Sequence, residues 1–375
     1  MSGSLRTVLS GFALATSWTW CIGMFAPIVI GQLMGWPGIL AFAIPNILGC
    51  ALFGYLRSAE RSREETRDHA AMMAFFSAAT IAYQVFFAGW LWGPVLGENF
   101  RMTPGEGTAL ASGASFGAAV LLAAIPRGVL WMLAALAYPL SLLTFAFLPW
   151  SFIFGGESQG IAFNSLALEG AWAPMDLALV LPTIVFGFAL SPNLDLTFHR
   201  ARQEVPAGAR PTNFAVFGVT FASMLVLTVC YLAAGPGALN NPAVRTHMAI
   251  QLALTSALHL SELRLVRIAP NARLFLGLGA GFVGLLAALL APNRDTYLRF
   301  LGLYGLLFPA YAFLALRLIG RPRPIHWIAL LASLAVVTPL LDQSFTDEPT
   351  LWTPLAVIIP VAVVLLVTRR RRVQA

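Results

Sequence analysis

The chain has 375 residues, of which 58% are hydrophobic and only 10% charged, with a mean hydropathy of +0.78. Soluble domains average roughly 25% charged residues, so a water-soluble globule is excluded and a polytopic membrane protein is expected. The net charge of +7 comes from arginine alone, and the arginines lie in short connectors between apolar blocks, which points to membrane orientation and not to nucleic acid.

A helix needs ~20 apolar residues to cross a bilayer, and twelve such spans are predicted: 7–34, 37–56, 71–93, 108–125, 129–149, 174–193, 214–234, 244–262, 274–291, 297–316, 325–341 and 352–368. The first contains Gly23, Pro27 and Gly31, lacks the cleavage site of a secretory leader, and is expected to be retained. The connector 57–68 mixes four arginines with Glu60, Glu64, Glu65 and Asp68 and reads as a solvated helical link. Tyr83 and Gln84 in the third span, with Tyr304 and Tyr311 in the tenth, are expected to bond between helices. Gly113 and Gly117, like Gly277 and Gly281, have the spacing of close helix contacts. Cys21, Cys50 and Cys230 all lie in apolar blocks, in a pattern that suits neither disulfides nor a metal. The closing Arg369–Arg372 cluster is expected to meet anionic lipid head groups. With the N-terminus inside, 19 of the 23 arginines fall in cytoplasmic segments. Both termini are therefore expected in the cytoplasm, and the chain in a bacterial inner membrane.

Proline and glycine interrupt spans 1 and 6, which cross the membrane in opposite directions. The sixth runs through Gly187 into Ser191-Pro192-Asn193-Leu194-Asp195. Broken helices at corresponding positions are the mark of carriers built from inverted repeats. The expected organisation is one membrane domain over 1–375, with repeats 7–149 and 174–316 and two accessory helices over 325–368. If the breaks meet near the midplane, Trp18, Trp20, Gly23, Gly187, Phe188, Ser191 and Asn193 are the candidates to flank a cavity.

Every acidic residue is read as lying in a loop or near a span end, Asp176 and Asp195 coming closest to the bilayer, so an ion path through buried carboxylates is not expected. Asp195 and His199 have the i, i+4 spacing to face one another. There is no phosphate loop, catalytic triad or zinc motif, so neither an enzyme nor a cofactor is expected. A charge-free interior still suits sodium, for which the Leu252 carbonyl and the Thr255 and Ser256 hydroxyls share one helix face. The competing reading is that both hydroxyls bond back to their own helix.

The run Ala15-Thr-Ser-Trp-Thr-Trp-Cys-Ile-Gly23, continuing to Gly35-Trp-Pro-Gly38 and Gly54, resembles the first core helices of the sodium:solute symporter family, its urea-type members above all. The segment 187–202 resembles that family's broken sixth core helix. Thr255 through Arg273 resembles the eighth core helix and the loop after it, and the wider amino acid–polyamine–organocation superfamily shares the same core. The resemblance implies the leucine-transporter-type fold, all-α with a five-plus-five inverted repeat. It also implies a sodium ion held by the carbonyls of Ala15, Trp18 and Leu252 and the hydroxyls of Thr255 and Ser256. A sodium-coupled symporter of a small organic solute is the resulting expectation. The alternatives are a proton-coupled or uncoupled carrier on the same fold, or a membrane sensor or scaffold that transports nothing.

Overall fold

A computed structural model describes residues 3–19, 21–143, 174–206, 208–233, 241–318, 320–346 and 349–368. Among the described residues the regular structure is entirely helical. The helices are α1 (Gly3–Trp18), α2 (Cys21–Leu56), α3 (Ala59–Asp68), α4 (Ala70–Phe100), α5 (Pro104–Ala124), α6 (Arg127–Leu143) and α7 (Pro174–Leu190). They continue with α8 (Leu196–Gln203), α9 (Thr212–Ala233), α10 (Pro242–Leu265), α11 (Pro270–Leu290), α12 (Arg294–Arg317), α13 (Pro324–Thr346) and α14 (Trp352–Val367). Among the described residues eight helices are long and apolar enough to cross a membrane, and α6 and α14 are shorter apolar ones. The chain is an all-helical integral membrane protein. Trp20, the segment 150–173 and Arg369–Arg372 lie outside the described residues.

Local chemistry sets many of the helix ends. Thr103 and Glu106 form a reciprocal capping box ahead of α5, with Pro104 at the first helical position. Ser58, Asn241 and Asn293 each cap the helix that follows with a side-chain oxygen. Where spans 7–34 and 37–56 are expected, α1 is followed by the 36-residue α2, which bends at Gly35 (φ 61°, ψ −156°). Only glycine takes that backbone without strain. Pro27 does not break α2. Its missing N–H would orphan the Gly23 carbonyl, which accepts instead from Thr228 Oγ1 of α9 at 3.3 Å.

The central helix is α4, with 89% of its most apolar window buried. Glycines let its neighbours close in: a Cβ on Gly107 of α5 would overlap the Gly93 carbonyl, and one on Gly284 of α11 the Ala82 carbonyl. Gly113 and Gly117, expected to be contact glycines, face open space, whereas Gly281 lies under the Phe116 ring. The predicted span 244–262 lies within α10, which is less apolar than the eight because it carries His247, Gln251, His259 and Glu262, all of them buried.

Candidate functional site at the junction of two interrupted helices

The first interruption falls at Thr19, between α1 and α2, four residues before Gly23. Thr19 closes the last turn of α1, placing both its N–H (2.8 Å) and its hydroxyl (2.7 Å) on the Ala15 carbonyl. Distant side chains satisfy the rest of the break. Thr255 Oγ1 of α10 donates to the Thr16 carbonyl at 2.8 Å. Gln84 Oε1 of α4 accepts from the Cys21 N–H at 3.1 Å, and Tyr297 of α12 donates to the Cys21 carbonyl at 3.2 Å.

The second interruption follows α7. A 3-10 turn covers Ser191–Asn193, Ser191 Oγ closes on the Gly187 carbonyl at 2.5 Å, and Asp195 then starts α8. Asp195 Oδ1 accepts from both the N–H and the hydroxyl of Thr197, each at 2.7 Å. The two breaks meet through Ser17 Oγ and Thr197 Oγ1, 2.9 Å apart. This contact joins the C-terminal end of α1 to the N-terminal end of α8.

An acid–base pair is buried at this junction. Asp195 Oδ2 has no hydrogen-bond partner and faces His259 Nε2 of α10 at 3.9 Å, both side chains being 0% exposed. Ser77 Oγ of α4 lies 3.3 Å from the other ring nitrogen, Nδ1. Asp195, expected near a span end and outside any path of buried carboxylates, is thus fully buried in the protein. The expected pairing of Asp195 with His199 is not made. Asp195 precedes α8 with extended backbone, so helical spacing does not apply to it. His199 instead bonds Ser62 Oγ at 2.9 Å and the Asn193 carbonyl at 3.0 Å. His259 and Glu262, polar residues three apart in an otherwise apolar stretch, were the signal available in the sequence.

Towards Gly35, a cleft opens between α2, α7 and α12. Its α2 wall is Ala26, Val29, Ile30, Leu33 and Met34, one helical face; α7 adds Ile184, Gly187 and Phe188, and α12 adds Tyr297, Leu301 and Tyr304. Its volume of ≈ 40 Å³ is room for a few water molecules. Two of the candidate cavity residues, Gly187 and Phe188, line it. Trp18 is turned to Asn46 (2.7 Å) and the Phe198 ring. Gly23 faces Phe221, Ser191 is closed on its own helix, and Asn193 accepts from Arg57 at 2.7 Å. Trp20 lies outside the described residues.

On the other side of the junction, at the arginine-rich end, is a polar vestibule of ≈ 600 Å³ lined by Arg63, Arg67, Arg200, Gln203, Glu262 and Arg267 among others. Ion pairs tie the helices around it. Glu262, 2% exposed, is clasped by Arg127 (2.7 Å) and Arg200 (3.1 Å), and Arg127 also holds Glu204 at 2.6 Å. Glu65 is held by Arg57 (3.2 Å) and Arg61 (2.9 Å). The connector is helical as expected, but it is not solvated all round: α3 turns Ser62 and Glu65 inward.

The oxygens expected to hold sodium gather near the first break but are largely committed to the protein. The Ala15 carbonyl accepts two bonds from Thr19, and the Thr255 hydroxyl donates to Thr16, which leaves Ser256 Oγ as the buried hydroxyl with no partner. Leu252 lies one turn earlier on α10 and is buried; the Trp18 indole is turned to Asn46. Among the described residues no group of three or more His, Cys, Asp or Glu side chains could hold a metal ion. No family model matches the sequence, and no curated protein matches it.

Proposed function

We propose that the protein is a secondary active carrier, moving a small organic solute along the cleft between α2, α7 and α12 and drawing on a coupled cation. The observation that carries this reading is the Ser17–Thr197 contact. It joins two interrupted helices between a cleft on one side and a vestibule on the other. Counting α1 with the first half of α2 as one span, and α7 with α8 as its counterpart, gives twelve spans in a leucine-transporter-type inverted repeat with α13 and α14 as additions. In that arrangement both termini and the arginine-rich end face the cytoplasm of a bacterial inner membrane. The cleft then faces outward, and the ion pairs of Glu262 and Glu65 close the cytoplasmic side.

Alternating access makes the two sides reciprocal, and cysteine labelling tests this without knowledge of the solute. A cysteine at Ile30 is expected to react with an impermeant maleimide only from outside, and one at Leu196 only from inside. Glu262→Gln, by loosening the inner side, is expected to speed labelling at Leu196 and slow it at Ile30. Reactivities that change independently of one another would overturn the carrier.

A further inference from the structure

We propose that Asp195 and His259 form a proton-binding site at the junction of the two interrupted helices. That this proton is the carrier's coupled cation rests on the proposed function; the site itself does not.

The argument starts from charge. A carboxylate removed from water is strongly disfavoured unless an opposite charge or a proton accompanies it. Asp195 Oδ1 is supplied with two donors by Thr197 and the Phe198 N–H also points to the carboxylate, but Oδ2 has no hydrogen-bond partner and faces His259 Nε2. One proton between these two atoms makes the pair neutral overall, whether it rests on oxygen or nitrogen, and the 3.9 Å between them is short enough for a side-chain rotation to close.

The surroundings offer no substitute. Cys50 of α2 and Tyr304 of α12 are the other titratable groups within electrostatic reach of the carboxylate, and neither carries positive charge. On α8 itself, His199 is bonded to Ser62 and the Asn193 carbonyl, and Arg200 is paired with Glu262. Further along α10, Glu262 is held by Arg127 and Arg200; on α3, Glu65 is held by Arg57 and Arg61. α1 and α4 present hydroxyls to the pair, from Ser17 by way of Thr197 and from Ser77. His259 is therefore the group able to share the proton of Asp195.

The proton is tied to the shape of the junction by the same atoms. Thr197 Oγ1 donates its one hydroxyl proton to Asp195 Oδ1 and lies 2.9 Å from Ser17 Oγ, which also donates to the Leu14 carbonyl of its own helix. A proton arriving on the carboxyl weakens Oδ1 as an acceptor and so slackens the chain Ser17–Thr197–Asp195. Loss of that proton tightens the chain and leaves a negative charge at the N-terminal end of α8, where the helix dipole favours it. Occupancy by a proton thus sets how firmly the two helix ends are joined.

Difference infrared spectroscopy of the purified protein, titrated from acid to alkaline pH, tests the site. Wild type is expected to show one titration, seen in the Asp195 carboxyl bands if the proton rests on oxygen and in the His259 imidazole bands if it rests on nitrogen. Asp195→Asn should abolish it, and His259→Gln should shift its midpoint. The second variant, which keeps the carboxyl, decides the matter if the first does not fold. Wild-type bands that are invariant with pH, or a titration unaltered in both variants, would overturn the site. The spectra need no solute, so the titration survives if the carrier reading fails. Reciprocal labelling in a protein with no such titration would sink the proton site and leave the carrier standing.

Discussion

Ser17 Oγ lies 2.9 Å from Thr197 Oγ1, joining helix ends that are 180 residues apart in sequence. Thr197 Oγ1 also donates to Asp195 Oδ1 and Ser17 Oγ to the Leu14 carbonyl at 2.8 Å, so each hydroxyl serves its own element as well as this contact. Ser17→Ala is expected to cost ~0.6 kcal/mol, the usual value for a polar contact between membrane helices. Thr197→Val, which also removes the hydroxyl donor to Asp195 but keeps the backbone cap of α8, is expected to cost about 1 kcal/mol. A double-mutant cycle on reversible unfolding in mixed micelles should find the pair less costly than the sum of the two. Strict additivity would show that the breaks are not held together here.

Glu262 is the most buried member of its cluster, at 2%, whereas Arg127 and Arg200 are 28% and 31% exposed. Breaking a fully buried pair by removing one partner costs ~3–5 kcal/mol, but water at these arginines screens part of that. Glu262→Gln is therefore expected to destabilise by about 2 kcal/mol, and Arg200→Ala by less, since Arg127 still compensates the carboxylate. Thermal unfolding of the purified variants gives the order directly.

Two glycines make a matched test of packing. A Cβ on Gly187 would lie 2.9 Å from the Tyr304 carbonyl, whereas one on Gly113 meets nothing within 4 Å. Gly187→Ala is expected to push α7 from α12 at a cost of ~1–3 kcal/mol. Gly113→Ala should stabilise by up to ~1 kcal/mol through helix propensity. Equal effects at the two positions would contradict the close crossing.

Burial pushes the His69 imidazole, which lies between α3 and α4 against the Tyr311 hydroxyl, from 6.5 down to about 4. The unfolded chain therefore binds a proton between these values that the folded one refuses. The stability contribution of His69 is complete above pH 6.5 and is lost as the pH falls towards 4. His69→Gln should flatten the acid limb of a plot of unfolding midpoint against pH. An unchanged limb would assign the acid sensitivity elsewhere.

The interrupted helices were legible because proline and glycine mark them. Gln84 and Tyr304 were legible as interhelical bonding groups because a membrane interior obliges polar side chains to find partners. The location of the first break was not. Pro27 suggests it, but the outcome rests on Thr228 satisfying the Gly23 carbonyl and on Gln84, Thr255 and Tyr297 receiving the chain at Thr19 and Cys21, groups remote in sequence. The burial of Asp195 was hidden for a similar reason. Beside His199 and Arg200 it reads as part of a polar loop, and only the closure of α1, α3 and α10 over α8 removes it from water.

The π turn at Leu303–Leu307 in α12 carries a consequence for chain length. An α-helix advances about 100° per residue, so the extra residue in that turn sets the angular phase between the Tyr297 half and the Tyr311 half. Deleting one residue there would give a regular helix with its backbone bonds intact. It would also swing Tyr311 away from His69 while Tyr297 stayed on the Cys21 carbonyl. α12 is thus matched to its neighbours by an irregularity, and a more regular helix would fit them less well.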